Sequence, residues 1–233
     1  MNNKTVSAIS LVVIVVVLVA LHLPRVPPPA INLEVPFAGT PAEQWADGEE
    51  GIVVPAGDLV FRQVRQALIA SRTDLAMLVD HRPEHFLTMI APQVRDEIAG
   101  NLPGWTTRLR AGTTLLGIKV AGKMTLGEKN GFPDVTTDYV FAYAFRPPDP
   151  AKLRDQREMI AVSRHRVSFT VTPDGLWPSG ARGFHYSVAC GAARDGFLAP
   201  QFTEPFEQGS GMVADDRRYF SADEEMPAEN TCD

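Results

Sequence analysis

Thr113-Thr114-Leu115-Leu116-Gly117-Ile118-Lys119-Val120-Ala121-Gly122-Lys123-Met124-Thr125-Leu126 is the stretch where the hydrophobic period of this chain changes. Leu116, Ile118, Val120, Met124 and Leu126 occupy even positions; Lys119, Lys123 and Thr125 occupy odd ones. A period of two marks a strand that is wet on one face. Glu128-Lys129-Asn130-Gly131 then reads as a hairpin turn. Beyond it Tyr139, Phe141, Tyr143 and Phe145 form an aromatic stripe, and Val140, Ala142 and Ala144 make the opposite face apolar too. A strand apolar on both faces belongs at the centre of a sheet. Pro147, Pro148 and Pro150 break it.

A third strand is expected over 158–172, ending at the turn Pro173-Asp174-Gly175. A fourth is expected over 184–190, where Phe184, Tyr186, Val188 and Cys190 alternate with His185, Ser187 and Ala189. Upstream of the quoted stretch the period is 3.6. Asp58 is a good N-cap, and Phe61, Val64, Leu68, Leu75 and Leu78 recur at helical spacing, which predicts one long helix over 58–80. Arg62, Arg65 and Arg72 are assigned to its solvated side, with Arg95 extending a basic face. Pro83 and Pro92 can each open a further helix, and Gly100 can close the last. Helices followed by four or more long strands predict an α+β domain, with helices on a curved antiparallel sheet.

The first 23 residues are of another kind. No charge occurs from Val6 to Leu21, and 5–23 as a helix would measure roughly 28 Å, close to the hydrocarbon thickness of a bilayer. The run is apolar on every face, which suits a transmembrane anchor over 1–23 better than a core helix. A cleaved signal peptide is the rival; Leu23-Pro24-Arg25-Val26-Pro27 lacks a small-x-small cleavage site. Residues 24–57 hold seven of the 19 prolines and read as a semi-rigid spacer, with Gln44-Trp45 and Ile52-Val53-Val54 able to dock on the body. The globular body is assigned to 58–202, and 203–233, with nine acids against two Arg, to an acidic tail.

The formal net charge is -6, with 22 basic and 28 acidic residues, which argues against a nucleic-acid surface. A short leader before a long body favours the body outside the cell membrane. There Cys190 and Cys232 form a candidate disulfide. Two unrelated thiols are the alternative.

The order of helix 58–80, short helices 83–99 and strands near 113–126, 135–145, 158–172 and 184–190 resembles the nuclear transport factor two-like superfamily. With a single-pass anchor it is similar to type IV secretion inner-membrane scaffold proteins and to membrane-anchored proteins associated with Mce lipid-import systems. The resemblance implies a cone-shaped sheet and an assembly role with no catalytic residues to carry over. It also implies that some members are isomerases or hydratases with a pocket in the sheet's concavity. Here that alternative would use His165 with Tyr139 or Tyr143, because hairpin pairing brings His165 towards the aromatic stripe. Asp138 lies on the other face.

His81 and His85 are four apart, but Pro83 between them starts a helix, and no third ligand is near in sequence. No metal or cofactor is expected, and no nucleophile elbow, phosphate loop, CxxC or HExxH occurs. The sequence therefore predicts a membrane-anchored extracytoplasmic interaction module, held in the bilayer through residues 6–23 and partnered by an envelope protein. A small-molecule or isomerase-like pocket, and a secreted soluble protein, are the alternatives.

Overall fold

Five strands pair in sequence order, every neighbour antiparallel: β1 (Ala46–Asp47), β2 (Leu115–Lys129), β3 (Phe132–Phe145), β4 (Ile160–Thr172) and β5 (Gly175–Tyr186). This computed structural model describes residues 31–55, 59–205, 217–227 and 232. The anchor expected over 1–23 and the N-cap expected at Asp58 lie outside the described residues. Among the described residues no helix is long and apolar enough to cross a membrane.

The β2–β3 hairpin closes on Asn130 and Gly131, both with positive φ (53° and 79°), the backbone that a two-residue primed turn requires. β3 is the central strand. Its odd side chains, Val135 to Phe145, face a core shared with α1 (Leu59–Arg72), α2 (Leu75–Leu78), α3 (Glu84–Met89) and α4 (Pro92–Gly100). Phe61, Val64 and Leu68 of α1 fill this side. Its even side chains Val140, Ala142 and Ala144 meet Ile160, Val162, Phe184 and Tyr186 in a second core. That second core is closed by two segments outside the α+β body proper. Phe37 and Ala42 cover it from the N-terminal side; Tyr219, Phe220 and Met226 cover it from the C-terminal side.

Four expectations need correction. The helix over 58–80 is two helices. Asp74 accepts a hydrogen bond from the Ala76 amide (2.9 Å) and so caps a new start, which turns Leu75 outward to 60% exposure. Leu116 does not share a face with Ile118. The register shifts between Leu115 and Gly117, and Leu116 packs on the second core while Leu115 and Ile118 pack on the first. The fourth expected strand, 184–190, is the end of β5 alone. Ser187 takes φ 57° and Cys190 opens the short helix α6 (Cys190–Arg194), while the strand begins at Gly175, where Pro178 and three glycines hide the alternation. The acidic tail is not all solvated. Residues 217–227 dock on the sheet through Tyr219, Phe220 and Met226, while Arg217, Arg218, Asp223, Glu224 and Glu225 stay exposed.

The expected pairing of Cys190 with Cys232 is present, with Cα atoms 5.2 Å apart. Ile52 is buried as expected of a docking segment, and the described part of the proline-rich stretch packs on the body from Phe37 onward.

Candidate functional site

Its charge and the helical spacing place Arg72 on a solvated face, and the structure corrects this. It lies in line with Phe61, Val64 and Leu68, at the i, i+3, i+7, i+11 positions of the buried stripe, and is 1% exposed. As the last residue of α1 it carries its guanidinium beneath the connection from α5 (Leu102–Trp105) into β2. One nitrogen, Nη1, donates to Thr107 Oγ1 at 3.0 Å. Nε and Nη2 are buried and have no acceptor among the described residues. Burial pulls the Arg72 pKa down to about 10, against a smaller upward pull from Tyr143.

Two histidines reach the same place from the sheet. His165 of β4 and His185 of β5 both point to the helix side, with ring centres 5.7 Å apart and edge-on. Gly183 pairs with His165 across the strands, and a Cβ at that glycine would come within 3.2 Å of the His165 ring. The bare backbone there lets the imidazole lie flat against β5. His165 Nε2 and Ser163 Oγ share a hydrogen bond of 2.5 Å. Burial, then the charge of Arg72 and then His185, hold the His165 pKa well below its usual value. Burial and Arg72 take His185 down to about 4. Both rings are therefore neutral near pH 7.

These groups border a cavity of about 90 Å³, closed by Thr107, Arg108, Ala193 and Phe197 among others. Pro103, His165 and His185 also border a wider cleft of about 570 Å³, whose outer wall includes Trp105, Pro178 and Arg182. Arg108 donates to the Gly196 carbonyl at 3.3 Å and lies 4.7 Å over the Phe197 ring. Among the described residues no carboxylate lines either space.

The structure brings His165 opposite Tyr139 in register, and neither Tyr139 nor Tyr143 is among the residues lining these two spaces. Tyr139 donates its hydroxyl to the Val53 carbonyl (2.9 Å) and Tyr143 to the Arg72 carbonyl (2.8 Å). Burial raises both phenols to about 12. They tie α1 and the N-terminal segment to the sheet. Asp138 is on the opposite face as expected, where Arg164 grips it at 2.9 Å twice and Arg166 adds two further donors, Nε and Nη2. Burial pushes the Asp138 carboxyl up, and the hydrogen bonds and charges of the two arginines outweigh it and hold it below its usual value.

His81 and His85 go separate ways: His81 Nε2 meets the Leu109 carbonyl at 2.8 Å, and His85 lies 3.4 Å from Asp74. Among the described residues no three metal-ligating side chains gather. Arg72 and His185 are the two members of the site that the sequence reading passed over. The stripe position of Arg72 was the available signal.

No protein-family model matches this chain, and neither a curated protein nor a solved structure matches it. The reading of function therefore rests on the chain's own residues.

Proposed function

We propose that this protein is a membrane-tethered extracytoplasmic module of an envelope complex, which acts by binding and leaves its ligands unchanged. The Cys190–Cys232 bond is the observation that carries the reading. Structural disulfides persist in oxidising spaces and are rare in the cytosol. The apolar leader supplies the tether, with residues 6–23 in the lipid and the prolines after it as an offset. The expected partner is an envelope protein.

The isomerase-like alternative has less support. Its two tyrosines spend their hydroxyl protons on backbone carbonyls, and at about 12 their pKa values sit far above an operating pH. His165 keeps a place in the site as a wall of the cleft.

The test is a reporter active only outside the cytoplasm, fused after Asp233 of the full chain, combined with alkaline extraction of membranes. An active reporter in the extracted pellet, within a complex larger than the chain alone, is expected. A reporter active only in the cytosol, or a mature chain that has lost residues 1–23 and floats free, overturns the proposal.

A further inference from the structure

The guanidinium of Arg72 is the least satisfied charged group in view. Nε–H and the adjacent Nη2–H lie along one edge of the guanidinium plane, the edge that receives both oxygens of a carboxylate side-on. The molecule shows what this edge does when it has a partner. In Arg164 the same two nitrogens, Nε and Nη2, each lie 2.9 Å from an oxygen of Asp138. Among the described residues the equivalent edge of Arg72 has no acceptor, and Arg72 is one of the residues that border the cavity of about 90 Å³. A buried cation with unmet donors is destabilising, so the edge calls for a partner beyond the described residues, an ordered water or a ligand.

We propose that this cleft binds a small organic acid, with its carboxylate on the Nε–Nη2 edge of Arg72 and its body lying outward between His165, His185 and Trp105. Four observations favour that ligand. Among the described residues the charged groups bordering the two spaces are Arg72, Arg108 and Arg182, with no acid among them, and the field they set selects an anion. The inner cavity has room for a carboxylate and little more. The outer cleft offers Trp105, Pro103 and Pro178 as apolar walls, which suit a slender hydrocarbon or aromatic body. The imidazoles are neutral and Arg108 is engaged with the Gly196 carbonyl and the Phe197 ring, so the ligand head meets one bare guanidinium edge, which matches the two oxygens of a carboxylate. The site is independent of the tethering proposed above and can be tested apart from it.

The experiment uses the full chain in nonionic detergent, titrated at constant ionic strength with acetate, benzoate and inorganic phosphate. The imidazole C–H resonances of His165 and His185, assigned by single replacements, give the readout. Saturable shifts are expected with both carboxylates, benzoate the tighter. Arg72→Met should weaken benzoate at least about a hundredfold, since two charge-assisted bonds are lost. Arg72→Lys should recover part of the binding. Should Arg72→Met fail to fold, Ala193→Leu decides: it fills the inner cavity and leaves the guanidinium in place, and it should abolish the shifts. Tighter binding of phosphate than of either carboxylate overturns the ligand class. No saturable response from the wild-type chain, or an equal response after either Arg72→Met or Ala193→Leu, overturns the site.

Discussion

Asp138 and Arg164 sit across β3 and β4 on the face away from the helices, 9% and 1% exposed at their side chains. Arg164 has no unused edge. Besides the two bonds to Asp138, it donates to the carbonyls of Ser221 and Ala222, both at 3.0 Å, and so binds the C-terminal segment to the sheet. Removing the carboxylate alone would strand that guanidinium in the second core. Asp138→Ala should therefore cost about 3–5 kcal/mol, while Asp138→Leu with Arg164→Met should recover most of the loss, because an ion pair replaced whole leaves no orphan. Urea unfolding of the two variants is the check. Equal losses in the single and the double variant would remove the argument. Arg166 changes little in this balance, since it is 45% exposed and can turn to water.

At the level of elements, α6 is the piece that joins the disulfide to the cleft. Its first turn is held by Glu204, whose carboxylate accepts from the amides of Gly191 (2.7 Å) and Ala192 (3.0 Å) and pairs with Arg110. Cys190 at its start bonds to Cys232, and Ala193 near its end lines the inner cavity. Closing a loop with a sequence separation of 42 is worth about 4 kcal/mol in the chain-entropy model. Cys190→Ser with Cys232→Ser should lower stability by up to that amount and speed amide exchange in 217–227 ahead of the strands. Unchanged exchange in that segment would show that Tyr219 and Phe220 hold it without help. The same scale explains how far sequence could be read. β3 and the β2–β3 turn were legible, because two-sided apolarity and Asn130-Gly131 are local signals. β5 was not, since Pro178, Gly180 and Gly183 break its alternation on an edge strand that tolerates them. Docking of 217–227 was equally hidden: its three apolar anchors, Tyr219, Phe220 and Met226, follow no period, and only the second core gives them a place. In the site, His165 was found from strand alternation. Arg72 was missed because charge was allowed to outweigh position on the helix.

For the molecule as a whole, the two buried histidines set the direction in which pH acts on stability. In the unfolded chain each takes a proton near pH 6.5; in the fold His185 holds out to about 4, and burial holds His165 well below its usual value too. Between those values the unfolded state binds more protons than the native one, so stability falls as pH falls. Above pH 6.5 both states carry neutral rings and this contribution is flat. The slope is about 1.4 kcal/mol per pH unit for each histidine, and the shift of His185 corresponds to a loss of at most about 3 kcal/mol by pH 4. Asp138 and Asp155, whose carboxyls are held below their usual value of 3.8, act in the same direction only under more acidic conditions. Urea midpoints of the full chain should thus be level from pH 8 to 7 and decline from about pH 6.5 towards 4. His165→Gln with His185→Gln should flatten that decline above pH 5, since no buried imidazole is left to resist protonation. A double variant with the wild-type slope would place the acid sensitivity elsewhere and dissolve the account in which burial, with the charge of Arg72 behind it, keeps both rings neutral.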